Sequence, residues 1–132
     1  MTPPAQARNP QTGSDPPTLA LPGLLGFTGV AFGAFGAHGL HLAPPMLDVY
    51  RTGALYHLVH AVVALAVALG AERLRRARLI LALLTGGVTV FAGSLYLLAI
   101  TGVAKLGAIT PIGGVMMLAA WALIFAEGLR RS

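Results

Sequence analysis

An all-α integral membrane protein, a four-helix transmembrane bundle with both termini cytoplasmic, is the fold class that this 132-residue sequence predicts. Three observations predict it. Hydrophobic residues make up 56% of the chain and charged residues 10%, whereas soluble domains carry about a quarter charged residues. A chain this short cannot hide so much apolar surface in its own core, so lipid must cover the remainder. The sequence holds four apolar stretches, each close to or above the roughly 20 residues that cross a hydrocarbon core of about 30 Å. The basic residues collect at the ends of those stretches, which is a pattern of membrane topology and not of a nucleic-acid surface.

Residues 1–18 include Pro3, Pro4, Pro10, Pro16 and Pro17 among Gln, Asn, Ser and Gly. Such a composition buries too little apolar area to offset chain entropy. A disordered tail is expected there, ahead of one transmembrane domain over 19–132. With Arg8 as its single basic residue and a long apolar run behind it, this start does not have the form of a cleaved signal peptide.

The first helix is expected over about 21–40, long enough to span. Gly26, Gly29, Gly33 and Gly36 recur in it at spacings of three and four, a small-residue stripe that lets another backbone approach closely. Pro44 and Pro45 are expected to force a short turn over 41–47. The second helix then covers about 48–70, with Asp48 and Arg51 one turn apart and able to pair. Gly53, His57, His60 and Ala64 share one face of it, so its polar face is also its small and buried face.

Four arginines, Arg73, Arg75, Arg76 and Arg78, follow in ERLRRAR at 72–78. The positive-inside rule assigns this loop to the cytoplasm together with Arg8, Arg130 and Arg131, so that only Arg51 and Lys105 of the nine basic residues lie outside. The third helix, about 79–101, carries Gly86, Thr89, Gly93 and Tyr96 on a common face with Ser94 beside it. After a turn holding Lys105, Thr110 is expected to cap the fourth helix, with Pro111 as its first residue. That helix is expected to run to about 126, and Glu127, Arg130 and Arg131 to close it at the cytoplasmic face. The expected helix-packing positions are Gly29, Gly33, Gly36, Gly53, Gly86, Gly93, Gly113 and Gly114.

Counting 1.5 Å per residue puts His57 and His60 roughly 8–12 Å below the outer boundary, with Ser94, Tyr96 and Gly114 at similar depth. His38 falls near the outer end of the first helix. Two accounts of these polar groups stay open. They bond one another and stitch the helices together, or they line an outward-facing pocket for a small molecule or ion. A third account, a haem or metal site, draws on two H-x-x-H pairs, His38 with His41 and His57 with His60. It lacks an H-E-x-x-H helix and an intramembrane carboxylate to orient the imidazoles, and no metal ligand set or cofactor is assigned. The absence of cysteine excludes disulfides, thiolate metal sites and a cysteine nucleophile. No nucleophile, base and orienting acid can be assembled within the spans, so an enzyme is not expected.

The stretches GAFGAHGL at 33–40, TGALYHLVHA at 52–61, FAGSLY at 91–96 and TPIGG at 110–114, followed by Trp121, resemble the small membrane proteins of the domain of unknown function 423 family, whose animal relatives are called transmembrane protein 256. The likeness extends over 23–125, with the four motifs in order. It implies four transmembrane helices, an inner-membrane location in bacteria and no established activity. It carries His38, Tyr56, His60, Gly93, Ser94, Tyr96, Thr110, Pro111, Gly113 and Gly114 as motif positions. Family members often differ at His41 and His57, and serine is usual where Ala92 stands, which leaves His38 and His60 as the histidines to watch.

The expected function is that of a small membrane protein of unknown biochemical activity, in which an outer-leaflet cluster of His38, Tyr56, His60, Ser94, Tyr96 and Thr110 either binds a small ligand or ion or is only structural. The alternatives are a non-catalytic assembly protein packed through glycine faces and a haem or metal protein. The expected partners are the lipid bilayer, a small molecule of open identity and a second copy of the chain, because one bundle has little room for a pore. No nucleic acid is expected.

Overall fold

The computed structural model describes residues 18–130. The Pro-rich tail before Thr18, with Arg8, and the terminal Arg131 lie outside the described residues. The described chain forms four long helices, α1 (Ala20–His38), α2 (Pro44–Leu69), α3 (Ala77–Thr101) and α4 (Thr110–Leu129). One 3-10 turn at Ala71–Arg73 joins α2 to α3, and another at Ala104–Ala108 joins α3 to α4. All four helices are long and apolar enough to cross a membrane.

The helices stand in a row that follows the chain. α1 packs on α2, α2 on α3 and α3 on α4, while α1 barely touches α3 and does not reach α4. Burial follows from that order. In α3, flanked on both sides, 56% of the apolar span is buried, against 22% in α1 and 17% at the α4 end. Ile80, Leu84 and Val88 of α3 are wholly enclosed, with Ala64 of α2 and Ala120 of α4 against the same core. Phe27, Leu118 and Phe125 are each about 70% exposed. In water each would forgo about 1.5–3 kcal/mol of burial, whereas lipid solvates them at no such cost.

Glycines set the two closest approaches. A Cβ on Gly113 would lie 2.5 Å from both the Gly87 carbonyl oxygen and the Phe91 nitrogen, so α3 and α4 meet backbone to backbone there. Gly36 leaves the space that the Tyr50 ring fills, and the Tyr50 hydroxyl donates across to the Phe32 carbonyl at 2.7 Å. Gly29 faces Leu58 and His57, Gly53 faces Tyr96 and Leu95, Gly86 faces the tip of Met116, and a Cβ on Gly114 would lie 3.9 Å from the Phe91 ring. Gly33 and Gly93 pack against nothing within this chain, because a Cβ at either would meet nothing within 4 Å. The stripe on α1 is two rows: Gly29 and Gly36, seven residues apart, face α2, while Gly26 and Gly33 run beside them unfilled.

Two helix starts differ from expectation. Pro44 and Pro45 open α2 instead of forming a turn, since the first helical turn has no N–H partner for proline to lose and proline's fixed φ suits it. Thr110 is the first residue of α4 and makes no cap, because its hydroxyl is engaged with Ser94 at 2.7 Å. At the other end of this turn, Gly102 takes φ +70° and returns its N–H to the Leu98 carbonyl, a left-handed cap that glycine adopts without a Cβ clash.

Candidate functional site

The polar side chains expected to form one cluster fall into three groups. Two of the groups span three helices each, and the third joins α3 to α4.

The first group lies between α1, α2 and α3. His57 is buried, with Nδ1 3.2 Å from the Tyr96 hydroxyl and Nε2 3.3 Å from Thr28 Oγ1. Thr28 donates its own proton to the Leu24 carbonyl at 2.8 Å, so His57 must donate from Nε2 and accept the Tyr96 proton at Nδ1. The chain runs one way, from Tyr96 to His57 to Thr28 to Leu24. Phe32 and Tyr50 close on the Tyr96 ring at centroid distances of 5.0 and 4.8 Å. The apolar surround strengthens these bonds and makes an unpaired member costly.

The second group lies between α2, α3 and α4. His60 Nδ1 is 2.8 Å from the Tyr56 carbonyl, and its Nε2 receives the Trp121 indole N–H at 3.4 Å. A carbonyl only accepts and an indole only donates, so His60 carries its proton on Nδ1 and His57 on Nε2. Tyr56 stacks on His60 at 10° between planes and leans on Phe91, with 40% of its surface exposed. The third group is the hydroxyl pair of Ser94 and Thr110, which ties the start of α4 to α3.

His57 and His60 therefore turn to opposite flanks of α2 and do not form a shared ligand pair. His38 stands exposed at the C-terminal end of α1, away from all three groups. Among the described residues no three of His, Asp and Glu gather as a metal-ligand set. Sequence reasoning passed over Thr28 and set His57 below His60. The signal for both was present in the spacing, because Thr28 follows Leu24 by four residues and Gly29 leaves room for the imidazole beside it.

A groove opens where α1 stands clear of α3. It encloses about 370 Å³ and is lined by Leu25, Phe32, Val88, Ala92, Leu97 and Ile100, with Thr28, His57 and Tyr96 along its floor and Gly93 and Thr89 on its α3 wall. A second hollow of about 470 Å³ shares Leu25, Thr28 and Thr89 with it and continues past Thr85 and Gly86 to Leu21.

At the end of the molecule that holds the arginine loop, Glu127 of α4 is 3% exposed. Its Oε2 accepts the Arg75 backbone N–H at 3.3 Å, and its Oε1 lies 3.9 Å from the Arg130 guanidinium. A carboxylate at a helix C-terminus faces the negative end of the dipole; the Arg75 amide and the nearby Arg130 charge offset that position, while Oε1 itself accepts no hydrogen bond from the described residues. Asp48 and Arg51 pair at 3.8 Å on the exposed surface at the start of α2.

The family model described as protein of unknown function (DUF423) matches residues 32–114, well over half of the chain. The chain belongs to this DUF423 family. It is similar to the UPF0382 membrane protein YwdK of Bacillus subtilis, at 37% identity over 64% of this chain and 71% of that protein. A UPF0382 membrane protein of Haemophilus influenzae is 43% identical over 78% of this chain and 86% of its own length. The UPF0382 inner membrane protein YgdD of Escherichia coli is 34% identical over 85% and 88% respectively. No solved structure matches the chain. With four membrane-spanning helices and these DUF423 relatives, the chain is a transmembrane protein of a family whose function is unknown.

Proposed function

We propose that this is a non-catalytic protein of the inner membrane that takes an apolar small molecule from the bilayer into the groove between α1 and α3. The observation that carries this reading is the groove itself: its volume of about 370 Å³ lies in the range of about 300–1,000 Å³ typical of ligand sites, and such sites join apolar walls to a few placed polar groups. Here those groups are Thr28, His57 and Tyr96. The same bonds argue against catalysis. His57 presents an N–H to Thr28, so it cannot act as that hydroxyl's base. The name of the Escherichia coli relative supports the inner membrane, and the arginine loop supports cytoplasmic termini.

Gly93 provides the test, since its missing side chain opens part of the groove wall and a Cβ there meets nothing within 4 Å. Native mass spectrometry of protein gently extracted from its own membrane is expected to show a retained small molecule in the wild type and its loss in Gly93→Phe. Retention should persist in Gly26→Phe, which also adds bulk at an open glycine but is not part of the groove lining. Equal retention in all three would sink the proposal, as would an empty wild type.

A second reading, assembly with another copy of the chain, is favoured by the unfilled Gly26 and Gly33 row on α1. Close approach of a partner helix there would be blocked by Gly26→Leu, with a change in oligomer mass as the readout.

A further inference from the structure

The hydrogen-bond directions in the groove state which kind of molecule it suits. Every polar proton supplied by its lining residues already has an acceptor. Tyr96 gives its proton to His57, His57 gives one to Thr28, and Thr28 gives its own to the Leu24 carbonyl. Thr89 donates to the Thr85 carbonyl at 2.7 Å. The lone pairs are not all engaged, because a hydroxyl oxygen can accept two bonds. The oxygens of Tyr96, Thr28 and Thr89 each keep acceptor capacity beside the same hollow.

A site with acceptors to offer and no donors favours a guest that brings a donor. A ketone, an ester or an ether would leave both its own oxygen and the site's oxygens unmatched. An ammonium would bring donors, but a charge in this apolar wall needs a counter-charge, and no carboxylate lines the groove. An uncharged hydroxyl fits. The shape adds a second requirement, because the groove and the adjoining hollow, which share Leu25, Thr28 and Thr89, together line α1 and α3 from Ile100 to Thr85 and Leu21. Fifteen residues of α3 give it a length of roughly 22 Å, room for a long chain.

We infer that the groove binds a neutral long-chain alcohol, its hydroxyl donating to the oxygens of Tyr96, Thr28 or Thr89 and its hydrocarbon lying between α1 and α3 toward Leu21. This rests on the proposal that the groove is a ligand site and adds the chemistry of the ligand. The uncharged head matches a lining that carries no arginine or lysine.

The test compares two photoactivatable probes in liposomes holding the full-length protein: a hexadecanol bearing a diazirine in its chain, and the methyl ether of the same molecule. One hydrogen bond of ordinary net strength corresponds to about fivefold in affinity. The alcohol is therefore expected to label wild-type protein about fivefold more than the ether at limiting probe, with labelled peptides from α1 and α3. Both signals should fall in Gly93→Phe, and Gly93→Leu repeats the test with a smaller side chain should phenylalanine impair insertion. Equal labelling by the two probes, lost in the Gly93 variants, would leave the groove as a ligand site and overturn the hydroxyl. Labelling that the Gly93 variants do not change would overturn both.

Discussion

At His60 the direction of each hydrogen bond is fixed by its partner, and the partner on one side is the only tryptophan in the chain. Trp121 therefore reports on this interface alone. In His60→Leu the indole N–H loses its acceptor in an apolar setting, and the emission maximum of Trp121 should shift, whereas His57→Leu should leave it near the wild-type position. Tryptophan fluorescence in detergent checks both, and a shift in the His57 variant would contradict the separation of the two histidines. The other decisive single residue is Gly113. Its replacement by alanine sets a methyl group against the backbone of α3, and neither wall is a flexible side chain that can swing aside. A loss of roughly 1–3 kcal/mol is expected for such overpacking, measurable as earlier unfolding in a denaturing-detergent titration, while Gly93→Ala should be close to neutral. The sequence identified His60, Tyr96, Ser94 and Thr110 as polar residues worth following, but it could not say which of them meet. Residues at i and i+3 differ by about 60° around a helix, little enough to share a buried face and enough to send His57 to α1 and His60 to α4.

Among the elements, the helices were legible because their cause is local. Four apolar runs between charges determine four spans whatever the packing, and α1 to α4 lie on them. The ends depend on subtler balances. Pro44 and Pro45 begin a helix or break one according to which side of them the helix lies, and the asymmetry that favours proline in the first turn was the signal to follow. Thr110 is a good capping residue by type, but a hydroxyl beside Ser94 on α3 had a better partner. The closing of α4 shows an element held by a contact its own sequence does not announce. Glu127 grips the α2–α3 connection through the Arg75 amide, so Glu127→Ala should release that connection. Losing a charge-assisted bond of this kind costs about 1.5–3 kcal/mol, and limited trypsin digestion at Arg75 and Arg76 should become faster than in the wild type with Glu127→Gln intermediate.

For the molecule as a whole, the helix count sets parity, and the arginine loop supports the proposed orientation. Four crossings return the chain to the side on which it started, so the arginine loop and both ends of the helical domain share one side and Lys105 takes the other. The absence of native cysteine makes this directly measurable. A cysteine at Lys105 (Lys105→Cys) should react with a membrane-impermeant maleimide added to intact cells, and one at Arg75 (Arg75→Cys) only after the cells are opened. The reverse pattern would invert the proposed topology. Hydropathy and charge gave this plan, whereas the groove between α1 and α3 arises from a gap that no periodicity encodes: it depends on how far α1 leans from its neighbour once Gly29 and Gly36 have seated it on α2.

The row of helices bears on how the protein is made. Nearly every interface joins helices adjacent in sequence, so each span leaving the ribosome finds its partner already in the bilayer. Such a row can assemble hairpin by hairpin, with no first helix held waiting for a last one to close a ring, and contacts between sequence-adjacent helices favour rapid folding.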